Sequence, residues 1–332
     1  MAGERNSMMR HQFDVARQSW QAGDWADART GAQAALAAAV ASRDAHLEAG
    51  ASLLLAQVLT LQSNFAWARR FGARARDLFD REGDPAGLAD AMLSLSFVDS
   101  ALGHENLAVR AAEDAAAGAN GMARRGAAGL NYRGVAAFWS GRHGDARGML
   151  EAACELALDD AGARAAIFHP LSNAVFSEVL RCAHMRMQGH RVDLSELALL
   201  VTKLRTLVKA GFTGSLIGGS ADPGLFLLEF ASCFLASRTG HEARADECYL
   251  ACLQRAVRLP ESSWLQSLLW WARLERTLAA GEAEEAAVSA ARLVAVAEGG
   301  EHAPMKGLAR SLASETQVYL ARAPSACATW FA

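Results

Sequence analysis

The sequence predicts an all-α chain, an α-solenoid of antiparallel helical hairpins. Three observations carry this: a repeated turn signal, an alanine-dominated apolar composition, and apolar residues at helical spacing on both sides of each turn. Seven times a small or helix-stopping residue is followed five positions later by a residue, six times alanine, that opens a second apolar helix. The pairs are Gly23/Ala28, Ser63/Ala68, Gly103/Ala108, Gly141/Ala146, Gly189/Leu194, Gly240/Ala245 and Gly281/Ala286. Steps between the second members are 40, 40, 38, 48, 51 and 41 residues. Such a period marks an array in which each hairpin buries its apolar face only against its neighbours. Apolar residues make up 52% of the chain, and alanine, the best helix former, dominates them.

The elements follow in order. The first hairpin pairs a helix over Phe13–Gln21 with one over Trp25–Ser42, with Gly23 at the turn and Asp24 as its N-cap. The second covers Ala51–Leu61 and Phe65–Phe79. The third opens at Gly83-Asp84-Pro85, where Asp84 caps free amides and Pro85 takes a position whose missing N–H costs nothing. Its helices run over Ala86–Ala101 and Asn106–Ala117, and those of the fourth over Arg124–Trp139 and Asp145–Leu158. A break is expected near His169-Pro170, because proline inside a helix removes a hydrogen bond. The fifth hairpin then spans Leu171–Met187 and Leu194–Ala210, with Asp193 and Glu196 as a capping pair.

Residues 211–224 form the one long Gly-rich connection. They divide the chain into an N-terminal array of five hairpins, residues 1–210, and a C-terminal part, residues 225–322. Asp222-Pro223 restarts the helical pattern as Asp84-Pro85 does. The sixth hairpin covers Leu225–Ser237 and Glu242–Val257, the seventh Trp264–Leu278 and Ala283–Ala297. A capping helix over Pro304–Ala321 and an irregular tail, 323–332, complete the chain.

In-phase small and aromatic positions recur across the hairpins. The first supplies Ala16, Gly23, Trp25, Ala28, Ala32 and Ala35, the second Ala56, Ser63, Phe65, Ala68, Phe71 and Ala75. The third has Ser96, Gly103, Ala108, Ala111 and Ala115, and the fourth Gly134, Gly141, Ala146, Met149 and Ala153. The sixth has Cys233, Gly240, Ala245, Cys248 and Cys252, the seventh Gly281, Ala286 and Ala290 with Leu274 at the first-helix position. The fifth departs, with Leu194 in place of alanine. Over roughly Phe13–Ala297 this pattern resembles the tetratricopeptide repeat in its longer bacterial form. The resemblance implies a superhelix whose first helices line a concave, ligand-binding face.

Composition narrows the function classes. The net charge is −3 and the pI near 6.3, without the basic stripe of a nucleic-acid binder. Arg69, Arg70, Arg74 and Arg76 alternate with apolar residues and read as a solvated helix face. No signal peptide is visible, and no run approaches the roughly 18 apolar residues of a membrane span. The six cysteines are scattered through helices, which points to a cytoplasmic location with reduced thiols.

No catalytic or cofactor motif appears, and neither metal nor cofactor is expected. His104, His190 and His241 each follow a turn glycine and His143 lies two residues past another, where a solenoid keeps them apart. Cys248 and Cys252, at i and i+4, occupy packing positions. The Gly-rich connection lacks the Lys-Ser/Thr ending of a phosphate loop. The phasing assigns Arg17, Trp20, Gln57, Asp90, Phe97, Asn131, Phe138, Trp139, Arg186, Phe234, Trp271 and Glu275 to the inner face. Asn131 offers amide hydrogen bonds to a peptide backbone, and Trp139 and Trp271 are rigid apolar anchors.

The leading expectation is therefore a non-enzymatic scaffold that holds a peptide or protein segment in its groove, without binding nucleic acid or membrane. Self-association stays open. The alternative is a regulatory sensor of a small ligand or partner, as similar arrays are in bacterial signalling. An enzyme, with a site at the Gly-rich connection beside His169 and His184, has only that connection to motivate it.

Overall fold

A computed structural model describes residues 2–118, 123–161, 163–216 and 219–322, with side chains from residue 8 to 321 of these ranges. The expected tail, 323–332, lies outside the described residues. Fifteen α-helices are present among them. They are α1 (Ala2–Ala22), α2 (Trp25–Ser42), α3 (Ala45–Leu61), α4 (Phe65–Glu82), α5 (Pro85–Ala101), α6 (Glu105–Ala117), α7 (Ala123–Trp139) and α8 (His143–Asp159). They continue as α9 (Phe168–Met187), α10 (Ser195–Lys209), α11 (Asp222–Arg238), α12 (Glu242–Ala256), α13 (Ser263–Ala279), α14 (Ala283–Gly299) and α15 (Ala303–Arg322). Consecutive helices pack as antiparallel pairs, and each pair stacks on the next. None of the helices is long and apolar enough to cross a membrane.

The turn chemistry explains the hairpins. All seven turn residues of the repeat sit in the left-handed region, with φ between 58° at Ser63 and 86° at Gly23. Glycine adopts that conformation at little cost, and six of the seven are glycine. Five residues on, Ala28, Ala68, Ala108, Ala146, Ala245 and Ala286 are all wholly buried where the two helices meet. Their small size lets the backbones approach. Gly134 and Gly31 go further: a Cβ on Gly134 would stand 2.7 Å from Leu150 Cγ, and one on Gly31 2.7 Å from Ala16 Cβ. Asp84 caps α5, accepting from the amides of Ala86 and Gly87 at 3.0 Å.

Several expectations need correction. Asp24 makes no side-chain cap bond, and Asp222 lies within α11 rather than before it, with its amide donating to Ser220 Oγ at 3.2 Å. No break occurs at His169-Pro170. A 3-10 turn, Arg164–Ile167, runs into α9, and Pro170 falls in the helix's first turn, where amides have no intrahelical acceptor. Leu194 precedes α10, whose buried face starts at Leu197.

The array curves until it meets itself. The α1–α2 turn lies against the entrance to α11, so close that a Cβ on Gly23 would be 3.0 Å from Asp222 Oδ2. Trp25 Nε1 donates to the Arg258 carbonyl at 2.8 Å, across 233 residues of sequence. At the α3–α4 turn, Ser63 Oγ accepts from the Trp264 amide at 3.3 Å, and the Ala66 amide donates to Glu301 Oε2 at 2.7 Å. His302 then packs edge-on to Trp139 and Phe65, with ring centroids 4.6 and 5.6 Å away. Turns of the early hairpins thus meet the links between the last ones. The Gly-rich connection is pinned too: the Gly214 amide donates to Ala165 O at 2.8 Å, and Arg124 donates to the carbonyls of Ser215 and Leu216 at 2.9 Å.

Two glycines separate close packing from mere flexibility. Gly134→Ala inserts a methyl against Leu150, and overpacking of this kind costs about 1–3 kcal/mol, enough to outweigh the helix-propensity gain. Gly148, inside α8 with open space around its Cα, has no such contact, and Gly148→Ala adds about 0.5–1 kcal/mol of stability. Thermal and urea unfolding of both variants checks the opposite signs.

Candidate functional site

Closure turns the inner face of the array into a cavity of about 160 Å³ of space for water centres. Every first helix of the seven hairpins reaches it. Helix α1 contributes Trp20, α3 Gln57 and Thr60, and α5 Asp90, Ser94 and Phe97. Tyr132, Val135, Phe138 and Trp139 come from α7, and Phe168, His169, Ser172, Asn173 and Phe176 from α9. Leu227 of α11 and Trp264 of α13 complete the far wall, with Trp25, Phe65 and His302 closing it at the seam. The rings interlock edge-to-face: Phe138, Trp139 and Phe176 stand with centroids 5.5–5.9 Å apart. This is the preferred arrangement of aromatic quadrupoles.

The wall carries few polar groups. Asp90 is its single formally charged side chain among the described residues, and Arg125 bonds both carboxylate oxygens at 3.1 and 3.3 Å. Burial pushes His169 down to about 4 and His302 down to about 3, so both imidazoles are neutral at neutral pH. Burial, with Asp90 nearby, raises the Tyr132 phenol out of the physiological range. On α9, Asn173 Nδ2 donates to Asn131 Oδ1 at 2.8 Å.

The residues assigned to the inner face divide into four groups. Trp20, Gln57, Asp90, Phe97, Phe138 and Trp139 line the cavity. Asn131 does not: it is wholly buried behind the wall, holding the half-buried Asn173, which lines the cavity instead. Arg17 lies outside, exposed and paired with Asp14 at 3.3 Å.

Arg186, Phe234, Trp271 and Glu275 form a second, largely buried cluster rather than an open groove. Helix α15 crosses over the inner side of α9 and α13 and brings Glu315 onto Arg186 at 2.9 Å. Glu275 accepts from Trp271 Nε1 at 2.9 Å, contacts Arg186 at 3.4 Å and pairs with Arg238 of α11. Phe234 packs edge-on against Trp271 and under the Arg238 guanidinium. The inward phase of these residues is what lets the capping helix cover them.

Cavity residues outside the sequence assignment include Tyr132, Phe168, His169, Asn173, Phe176, Trp264 and His302. Tyr132 neighbours the assigned Asn131 on α7, whereas the α9 members lie ten or more residues from Arg186, the assigned position on that helix. Trp264 shares the helical face of the assigned Trp271, seven residues on, whereas His302 arrives through closure, for which no local signal exists.

Of the turn histidines, His104 bonds Asp99 at 3.1 Å and His241 bonds Thr239 at 2.8 Å. His143 meets His184 across α8 and α9, with Nε2···Nδ1 at 2.8 Å. Cys248 and Cys252 are buried, and burial raises both thiols. No group of three or more His, Cys, Asp or Glu side chains is placed to hold a metal ion among the described residues. The arginines of α4 are partnered rather than aligned: Arg69 with Asp99, Arg74 with Glu48 and Arg76 with Asp77, each at 2.7 Å.

The fold is similar to that of a solved structure, a Rap protein complexed with competence and sporulation factor. The TM-score is 0.54 and the identity 14%, covering 83% of this chain and 76% of that one. No protein-family model matches the sequence, and no curated protein does either.

Two buried clusters set opposing pH dependences. His143, His169, His184 and His302 are all lowered by burial, so the folded chain binds fewer protons than the unfolded one below about pH 6.5 and loses stability on acidification. Glu315 acts oppositely. Burial and the Glu275 carboxylate raise it to about 7 against the pull of Arg186, so its stabilising protonation is complete below 4.5 and lost as pH rises to 7. Thermal melts are expected to fall below about pH 6, where four lowered histidines outweigh the two raised carboxyls, Glu275 and Glu315. Glu315→Gln is expected to gain stability relative to the parent as pH rises from about 5 to 8, and a pH-independent difference contradicts the assignment.

Proposed function

We infer that this chain is a non-catalytic receptor of tetratricopeptide type, which binds a peptide or protein segment against its inner face. The observation that carries this is the convergence of all seven first helices on one aromatic cavity. Its wall holds rigid anchoring surface and few charges, the make-up of a recognition site. The likeness in fold to the Rap protein, whose solved structure holds a bound factor, supports the same reading. The cavity takes an anchor residue of the segment, and the rest lies along the seam.

A second reading, a regulatory sensor, is favoured by the closure itself. A ligand in the cavity lies against the elements joined by contacts such as Ser63–Trp264 and Ala66–Glu301, so any preference it has for those contacts closed or parted links occupancy to the shape of the array. Receptor and sensor differ only in whether that linkage is read by another molecule.

Ser94 lines the cavity from α5 without a hydrogen-bonding role, so Ser94→Trp fills the space at little cost to the fold. In a screen of synthetic peptides, binders of the parent chain are expected to lose about tenfold or more in affinity with Ser94→Trp, while the melting temperature stays close to the parent's. Peptides that bind both chains equally would place recognition outside the cavity.

A further inference from the structure

We propose that the central cavity is a site for an uncharged moiety, an aromatic or branched aliphatic group joined to an amide edge, as in one hydrophobic residue with its peptide unit. This rests on the receptor reading and specifies the chemistry that the inner face takes.

The wall excludes anions first. No Lys or Arg reaches the cavity among the described residues, and its two histidines are neutral. A carboxylate or phosphate entering it loses its water with no cation to replace it, a cost of several kcal/mol. A cation fares better on aromatic faces, yet the one carboxylate in reach, Asp90, is already bonded through both oxygens to Arg125. Apolar uncharged groups are left, and the ring surface suits an aromatic or branched chain.

The polar edge is on α9. His169 lies deep in the protein but keeps accessible surface, and that surface is the cavity wall. Its Nδ1 is occluded and has no partner. An imidazole with one blocked nitrogen is most stable with that nitrogen unprotonated, so Nε2 carries the hydrogen and offers it to the cavity. One helical turn on, Asn173 commits Nδ2 to Asn131, leaving Oδ1 as an acceptor at the wall. A donor and an acceptor at i and i+4 share one helix face, with Cβ atoms about 5–6 Å apart. They complement a carbonyl and an N–H of the same ligand. Space of about 160 Å³ for water centres has room for a side chain and its peptide unit.

The full chain is titrated calorimetrically with N-acetyl-phenylalaninamide, phenylacetate and phenethylammonium, and with acetyl-Ala-Ala-Phe-Ala-Ala-amide. The neutral amide is expected to bind saturably and about tenfold or more tighter than either charged relative. His169→Phe and Asn173→Leu are each expected to weaken it about tenfold while leaving indole binding intact. Two variants are used because Asn173 also holds Asn131, and indole binding shows that the cavity is still formed. Equal affinity for the free amide and the pentapeptide identifies a small molecule as the source, and tighter pentapeptide binding identifies a peptide. Tighter binding of phenethylammonium or phenylacetate, or of none of the four, overturns the proposal. If peptides bearing charged anchors still bind in a manner abolished by Ser94→Trp, the receptor reading stands and only the ligand chemistry fails.

Discussion

Everything the inner face can do depends on the seam where the array meets itself. Three hydrogen bonds hold it: Trp25 to Arg258, Ser63 to Trp264 and Ala66 to Glu301, with His302 wedged between Trp139 and Phe65. Each such bond is worth about 0.5–1.5 kcal/mol net. The seam therefore defines the cavity with a few modest contacts. Ser63 makes the point at the level of one residue. It is the one non-glycine among the seven hairpin turns, at φ 58°, where a side chain is strained. Its hydroxyl is the group that receives the Trp264 amide.

Close helix packing makes that closure possible. Wholly buried alanines at the start of six of the seven second helices, and glycines such as Gly31 and Gly134 pressed on side chains, let neighbouring layers approach and turn. Larger residues are kept for the inside of the curve, where Phe138, Trp139, Phe168, Phe176 and Trp264 fill the space that the layers enclose. Toward the C-terminal end the same inner face is covered instead by α15. There, Arg186, Arg238, Glu275 and Glu315 meet in a largely buried charge network, beside the apolar face that α15 packs on the core through Met305, Leu308 and Leu312. Breaking such a buried network by removing one partner costs more than the pairing itself contributes.

The fold was legible because its signals are local. A left-handed turn residue with an alanine five positions on reports a hairpin without reference to the rest of the chain, and the same pair at Gly240/Ala245 reads as clearly as at Gly23/Ala28. Pro170 misled because proline's cost depends on its position in the helix, and the 3-10 turn ahead of it moves the helix start to Phe168. The site was legible in part: helical phase put Trp20, Gln57, Asp90, Phe97, Phe138 and Trp139 on the inner face. Trp271 and Glu275 have the same phase but lie under α15, and no periodicity reports which inner surface a later helix will cover. Trp264 and His302 join the wall through contacts spanning more than 200 residues, set by the summed rotation of seven layers.

Small-angle X-ray scattering of the full chain tests closure most directly. A closed array of 332 residues is expected to have a radius of gyration of about 20 Å, the scaling of a compact chain, and a single-peaked, nearly symmetric distance distribution. A radius several ångströms larger, with the long tail of an open superhelix, contradicts the closed cavity on which the account stands.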